Sequence, residues 1–219
     1  MKPAAQSFLR FPLNLVFDSP ANVRVLRVLA RHGGMLSAST LADFAKLTKP
    51  SVLSALRQLI EIGAVEALGA DRQRLYRFDE AGGLGPALSA LFAAENQAYR
   101  DVIEVVRASA EDAGAEAAWL YGSVARGEDR PGSDIDVAIT CTTGRAFDLA
   151  MVMRDKLSHA WRRLGFNASV IGIDAMEVER LEREGDPWWL AVKRDAIVVM
   201  GPAPEAYVGR SPGKLRKAR

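Results

Sequence analysis

The sequence predicts a mixed α/β chain of the α+β kind, and three observations predict it. Apolar residues recur every three or four positions through residues 20–61 and are followed by two short strand-like runs; a glycine-rich break at 82–86 precedes one long helical period; after Gly114, compact apolar runs alternate with helical ones. The chain has 219 residues, 49% apolar and 26% charged, which excludes disorder over its whole length.

The first elements follow from local signals. From Pro20 to Arg31, Val23, Leu26, Leu29 and Ala30 share a helical face, and Gly33 and Gly34 favour a stop. Ser37 or Ser39 can cap a second helix carrying Leu41, Phe44 and Ala45, and Thr48 a third, in which Pro50 sits harmlessly in the first turn. That third helix is expected to bury Val52, Leu53, Leu56, Leu59 and Ile60 and to stop at Gly63. Ala64 to Leu68 and Arg74 to Phe78 read as two strands joined by a polar turn. Three helices and a hairpin make a winged helix-turn-helix. Residues 20–80 resemble the winged DNA-binding domain of the MarR and ArsR type of bacterial regulator. The resemblance implies that the third helix enters the major groove of double-stranded DNA with Lys49, Ser51, Ser54 and Arg57, while the wing offers Arg72, Arg74 and Arg77 to phosphates. Winged helices also serve as protein-docking or dimerisation modules, so both readings stand at this point.

A long helical pattern from Ala87 to Ala113, with Leu88, Leu91, Phe92, Tyr99, Val102 and Val106, makes a connector helix that packs either within the chain or on a second copy in a homodimer. The expected organisation is therefore a winged domain at 1–81, a connector at 82–113, a second domain at 114–202 and a basic, disordered tail at 203–219.

Charge follows that division. Residues 1–81 carry 11 Lys/Arg against 7 Asp/Glu, residues 82–202 carry 13 against 19, and residues 203–219 carry 5 against 1. Basic ends suit polyanions and an acidic middle suits cations or chemistry. The apolar run Phe8 to Phe17 is broken by Arg10, Pro12 and Asn14 and cannot serve as a signal core, and no run approaches bilayer length, so a cytoplasmic protein with no membrane partner is expected. The single Cys141 excludes an internal disulfide framework and reads as a small buried hydrophobe.

The densest chemistry lies after Gly114. Ala117 to Tyr121 reads as a buried strand, Gly122-Ser123-Val124-Ala125-Arg126-Gly127 as a turn into a helix, and Ser133-Asp134-Ile135-Asp136-Val137 as the next strand. A Gly-Ser turn into a helix lets backbone amides and the Ser123 hydroxyl approach a phosphate. Asp134 and Asp136, two apart on a strand, share a face, and their repulsion makes sense around a divalent cation such as Mg2+ or Mn2+. This run resembles the signature of the DNA polymerase beta-like nucleotidyltransferases in their minimal form. The elements expected after it fit the same small sheet flanked by helices: a helix over 146–164, a strand over 167–173, a helix over 175–184 and a strand over 196–200. The two-domain layout also resembles bacterial regulators that carry a nucleotidyltransferase domain.

The resemblance implies that Gly122, Ser123, Arg126 and Ser133 bind a nucleoside triphosphate and that Asp134 and Asp136 are catalytic metal ligands. It further implies transfer of a nucleoside monophosphate to a protein, RNA or small-molecule acceptor. Active relatives carry a third carboxylate on the following strand; here Asn167 or Ser169 stands there, and only a shifted register would bring Asp174 in. The alternative is a DNA-binding regulator whose nucleotidyltransferase fold senses a nucleotide without turnover. Trp188 and Trp189, after Asp186-Pro187, are expected to close the core, and His159 to lie on the surface.

Overall fold

The computed structural model describes residues 7–70, 73–141 and 144–208, with only the backbone described at 160–164. The chain divides into two compact units, Met1–Gln97 and Ala98–Arg219. The division falls inside a single helix, within the segment expected to be a connector.

In the first unit the order is α1 (Leu13–Val16), α2 (Pro20–His32), β1 (Leu36–Ser37), α3 (Ala38–Ala45), α4 (Lys49–Glu61), β2 (Val65–Leu68), β3 (Leu75–Phe78) and the start of α5 (Gly85–Ala113). Each of the three main helices starts on a hydroxyl cap: Ser19 accepts from the Asn22 amide, Ser37 from Thr40 and Thr48 from Ser51. Helix α2 ends on Gly33 in the left-handed region, at φ 67°. The strands form an antiparallel sheet in the order β1-β3-β2; the two-residue β1 was not foreseen. Val25, Leu26, Leu29, Leu41, Val52, Leu56, Leu59, Phe78, Leu88 and Phe92 make its core. Wholly buried Asn22 ties three helices together, donating from Nδ2 to the Leu15 carbonyl and to Gln58 Oε1, both at 2.8 Å.

Helix α4 departs from expectation. Its buried stripe is Val52, Ala55, Leu56 and Leu59, whereas Leu53 and Ile60 are 41% and 37% exposed. At 100° per residue both lie on the flank of the stripe, where the neighbouring helices do not reach. Phe44 on α3 is likewise exposed.

The second unit holds the rest of α5, then β4 (Ala117–Tyr121), α6 (Gly122–Arg126), β5 (Asp134–Cys141), α7 (Ala146–Leu164), β6 (Asn167–Asp174), α8 (Ala175–Glu184), α9 (Pro187–Asp195), β7 (Ile197–Met200) and α10 (Pro204–Tyr207). The sheet order is β6-β5-β4-β7, with β5 and β6 parallel and β4 antiparallel to both its neighbours. Leu120, Ile135, Val137, Ile139 and Val170 face one core with Val106, Met153 and Leu157. Trp119, Tyr121, Ala138 and Ile173 face another with Val178, Leu181, Trp189 and Tyr207. Central strand β4 is buried at every position, which explains its lack of polar alternation.

The domain ends later than expected. Residues 204–207, assigned from the sequence to the tail, form α10: Tyr207 packs edge-on against Trp119 at 6.0 Å and donates its hydroxyl to Glu116 at 2.5 Å. Residues 209–219 lie outside the described residues, and with them Arg210, Lys214, Arg216, Lys217 and Arg219.

Candidate functional site

Gly122 follows β4 directly and opens α6 at φ +74°. A Cβ built there would stand 2.5 Å from Asp136 Oδ2, so only glycine satisfies both the backbone angle and the approach to the carboxylate. Tyr121 is the register partner of Asp136 on β5, which brings the turn and the carboxylate together. Asp134 is exposed and Asp136 half-buried. Burial first, then the charge of Asp134, push the Asp136 carboxyl above the ordinary range, while Arg126 opposes the shift.

The neighbouring strand decides what accompanies the two carboxylates. In the parallel pairing, Asn167 stands beside Asp134 and Ser169 beside Asp136, and paired residues of parallel strands share a face. The shifted-register alternative for Asp174 is thereby corrected: it pairs with Cys141, seven positions along from Asp134, about 23 Å at the rise of a parallel strand. Its carboxylate caps α8, accepting from the Glu177 amide at 2.9 Å, and also accepts from the Gly144 amide at 3.1 Å. Among the described residues no three His, Cys, Asp or Glu side chains form a metal-ligating group.

The other residues expected to bind nucleotide behave differently from one another. Ser123 is half-buried in the second position of α6. Arg126 is engaged elsewhere: its Nε bonds Glu128 at 2.7 Å and its Nη1 bonds Asp195 at 2.6 Å. The Asp195 side chain is only 3% exposed. Hydrogen bonds from Arg194 and then Arg126 bring its carboxyl down to about 2. Arg126 therefore anchors α6 to the end of α9, a role invisible in sequence because the partner lies 69 residues away. The Ser133 hydroxyl turns back into its own loop and accepts from the Arg130 amide at 2.9 Å.

Tyr121, the last residue of β4 and the register partner of Asp136, also belongs to these surroundings. Burial and then the nearby Asp136 charge raise its hydroxyl, and Trp188, which meets it edge-on at 5.7 Å, acts in the opposite sense. Trp189 is wholly buried and donates to Glu182 Oε2 at 2.6 Å, as a core-closing residue should. His159 is exposed, with Nδ1 2.8 Å from the Asp155 carbonyl. Cys141 is buried, and desolvation pushes its thiol up to about 11.

In the first unit, Lys49, Ser54 and Arg57 are exposed on α4 and Arg74 is exposed at the start of the wing strand. Ser51 is half-buried and shares its hydroxyl with the Thr48 cap at 2.9 Å. Arg77 is paired across the hairpin with Glu66 at 2.5 Å, with both side chains exposed. Arg72 lies outside the described residues.

Family models match the same two parts of the chain. The model described as polymerase beta, nucleotidyltransferase, matches residues 104–180, and that of the IclR helix-turn-helix domain matches residues 23–69. The chain is thus a helix-turn-helix DNA-binding domain fused to a nucleotidyltransferase-fold domain. The matched helix-turn-helix model is of the IclR type, another winged family, and not of the MarR or ArsR type that the sequence resembles.

No curated protein matches the chain. Solved structures similar to part of it include the transcriptional repressor BigR from Xylella fastidiosa, at 24% identity over 40% of this chain and 84% of that one with a TM-score of 0.32. NadR in complex with 4-hydroxyphenylacetate is 21% identical over 48% of this chain and 84% of that one, with a TM-score of 0.33. A toxin-antitoxin with AMP-PNP is 15% identical over 48% and 79%, with a TM-score of 0.33. Among the described residues no helix is long and apolar enough to cross a membrane.

Proposed function

We propose that this protein is a DNA-binding regulator whose second unit holds a nucleoside triphosphate with a divalent cation as a ligand, without transferring it. The register of β6 carries this reading. Transfer to a hydroxyl calls for a positioned base, and Asn167 and Ser169, the residues beside Asp134 and Asp136, have no carboxylate to act as one.

The residues present fit a cation and a phosphate chain. Asp134 and Asp136 offer hard oxygen ligands, and a shared Mg2+ or Mn2+ would relieve the unfavourable ionisation of Asp136 while neutralising phosphate charge. The side-chain-free surface of Gly122 and the adjoining Ser123 admit close approach to the carboxylates. Arg126 acts indirectly, by holding α6 in place. The first unit supplies affinity for double-stranded DNA through Lys49, Ser54, Arg57 and Arg74, in a cytoplasmic homodimer that reads two half-sites.

The paired carboxylates beside the Gly122 turn favour a second reading: a nucleotidyltransferase that moves a nucleoside monophosphate onto a protein or RNA hydroxyl and releases pyrophosphate. One experiment separates the two. Equilibrium titration with each of the four ribonucleoside triphosphates should give binding that needs Mg2+ or Mn2+ and is lost in Asp134→Asn, Asp136→Asn. The same triphosphates, alpha-labelled, should leave no label on the protein, on DNA or in host extract. Carboxylate-dependent labelling would replace the ligand reading with the enzyme. Under the ligand reading, nucleotide and DNA change each other's affinity by the same factor.

A further inference from the structure

We propose that Leu53 is a sequence-reading residue of the winged unit, taking the C5-methyl group of a thymine in the major groove. The inference rests on the DNA-binding reading of that unit and goes beyond it by naming the base and the contact. Helix α4 is held by Val52, Ala55, Leu56 and Leu59, and Leu53 is left 41% exposed on its flank. Lys49 and Arg57 stand one turn before and one turn after it on the same side, both exposed, about 6 Å away along the axis in each direction. Among the described residues neither Lys49 nor Arg57 forms an ion pair, in contrast to Arg77 and Arg126.

Free cations bracketing a partly exposed leucine suit one kind of surface. The phosphates on either side of the groove attract the cations, and the apolar group exposed on base edges in the major groove is the thymine methyl. An acidic protein surface would engage the cations equally well, but it offers no reason for an apolar side chain to sit between them. The Thr48 cap and Ser54 keep the N-terminal half of α4, the part a helix-turn-helix presents to base edges, small and polar around Leu53.

The test uses the full-length protein. Selection from random duplex DNA defines the preferred site, and each thymine in it is then replaced by uracil, which removes only the methyl group. At one thymine per half-site the replacement should weaken binding about fourfold, the value of one buried methyl. In Leu53→Ala, which folds because the side chain is exposed, thymine and uracil should bind alike at that position. Leu53→Met should restore part of the difference. Equal binding of thymine and uracil at every position overturns the proposal, and so does an unchanged ratio in Leu53→Ala; a Leu53→Ala variant that alters only the oligomeric state assigns the leucine to a protein interface. If no duplex is enriched at all, the DNA-binding reading itself fails, and this proposal fails with it.

Discussion

The two units treat their charged side chains in opposite ways. On the winged unit Lys49 and Arg57 project without ion-pair partners among the described residues, beside an apolar residue that is 41% exposed. In the second unit the cation nearest the Gly-Ser turn is bound twice, to Glu128 and to Asp195, while the two carboxylates are left facing each other's charge. An unpartnered group on a folded surface retains its interaction energy for a ligand, whereas a partnered one has already exchanged water for protein. The first unit therefore leaves positive charge unpaired on its surface, and the second leaves negative charge unpaired at the Gly-Ser turn. Motif residues on a page look alike; which of them remain free is a property of the fold.

The comparison can be broken most severely at the turn. Gly122→Ala forces a side chain into the left-handed region and against Asp136 Oδ2, and should lower stability by on the order of 2 kcal/mol. Thermal and urea denaturation would register it, and DNA binding by the first unit should survive wherever the protein stays folded.

On the winged unit, Arg57→Ala should weaken DNA binding roughly tenfold at moderate salt and make the salt dependence shallower by about one counterion. Nucleotide titration should be unaffected, because the residue lies in the other unit. A loss of nucleotide affinity with intact DNA binding would reverse the assignment.

Ser169→Asp sharpens the contrast within the second unit. It places a third carboxylate in register with Asp136, and should raise Mn2+ affinity several-fold, by roughly 1 kcal/mol for an added charge partner at a half-exposed site. Asp174→Ala, remote from the pair, should leave the metal titration unchanged and instead lower the melting temperature through loss of the α8 cap.

The smallest effect at neutral pH concerns Asp195. Its folded pKa of about 2 lies below the ordinary carboxylate value, so its stabilising contribution is complete above about pH 4 and is lost as the pH falls toward 2. Acid titration followed by circular dichroism should show this limb in the wild type and a flatter one in Asp195→Asn. Arg126→Ala should flatten it in part, since Arg194 remains.

Much of this was legible before any coordinates. The Thr48 cap, and Ser37 as one of two candidates with Ser39, act on amides three residues on, so they are readable locally. The two-residue spacing of Asp134 and Asp136 and the order of strands and helices after Gly114 likewise need only the periodicities of the chain. The misreadings share one cause. Leu53 and Ile60 are apolar and near the buried stripe, but whether a flank is covered depends on helices that arrive from elsewhere. Arg126 beside a Gly-Ser turn invites a phosphate, and its bond to Asp195, 69 residues away, is invisible to any local reading. Tyr207 lies in a stretch that reads as tail because its pocket is built by Trp119, Glu116 and the distant strands.

What the sequence alone determined, then, is the set of local structures and the pair of motifs, since turn chemistry, capping and alternation act over a few residues. Only the tertiary structure decided that Asn167 stands beside Asp134 and Ser169 beside Asp136, that Asp174 is remote from both, and that Arg126 is bonded to Glu128 and Asp195. Register between strands and the choice of ion-pair partner are settled by contacts between segments tens of residues apart, and no window along the chain contains both halves of such a contact.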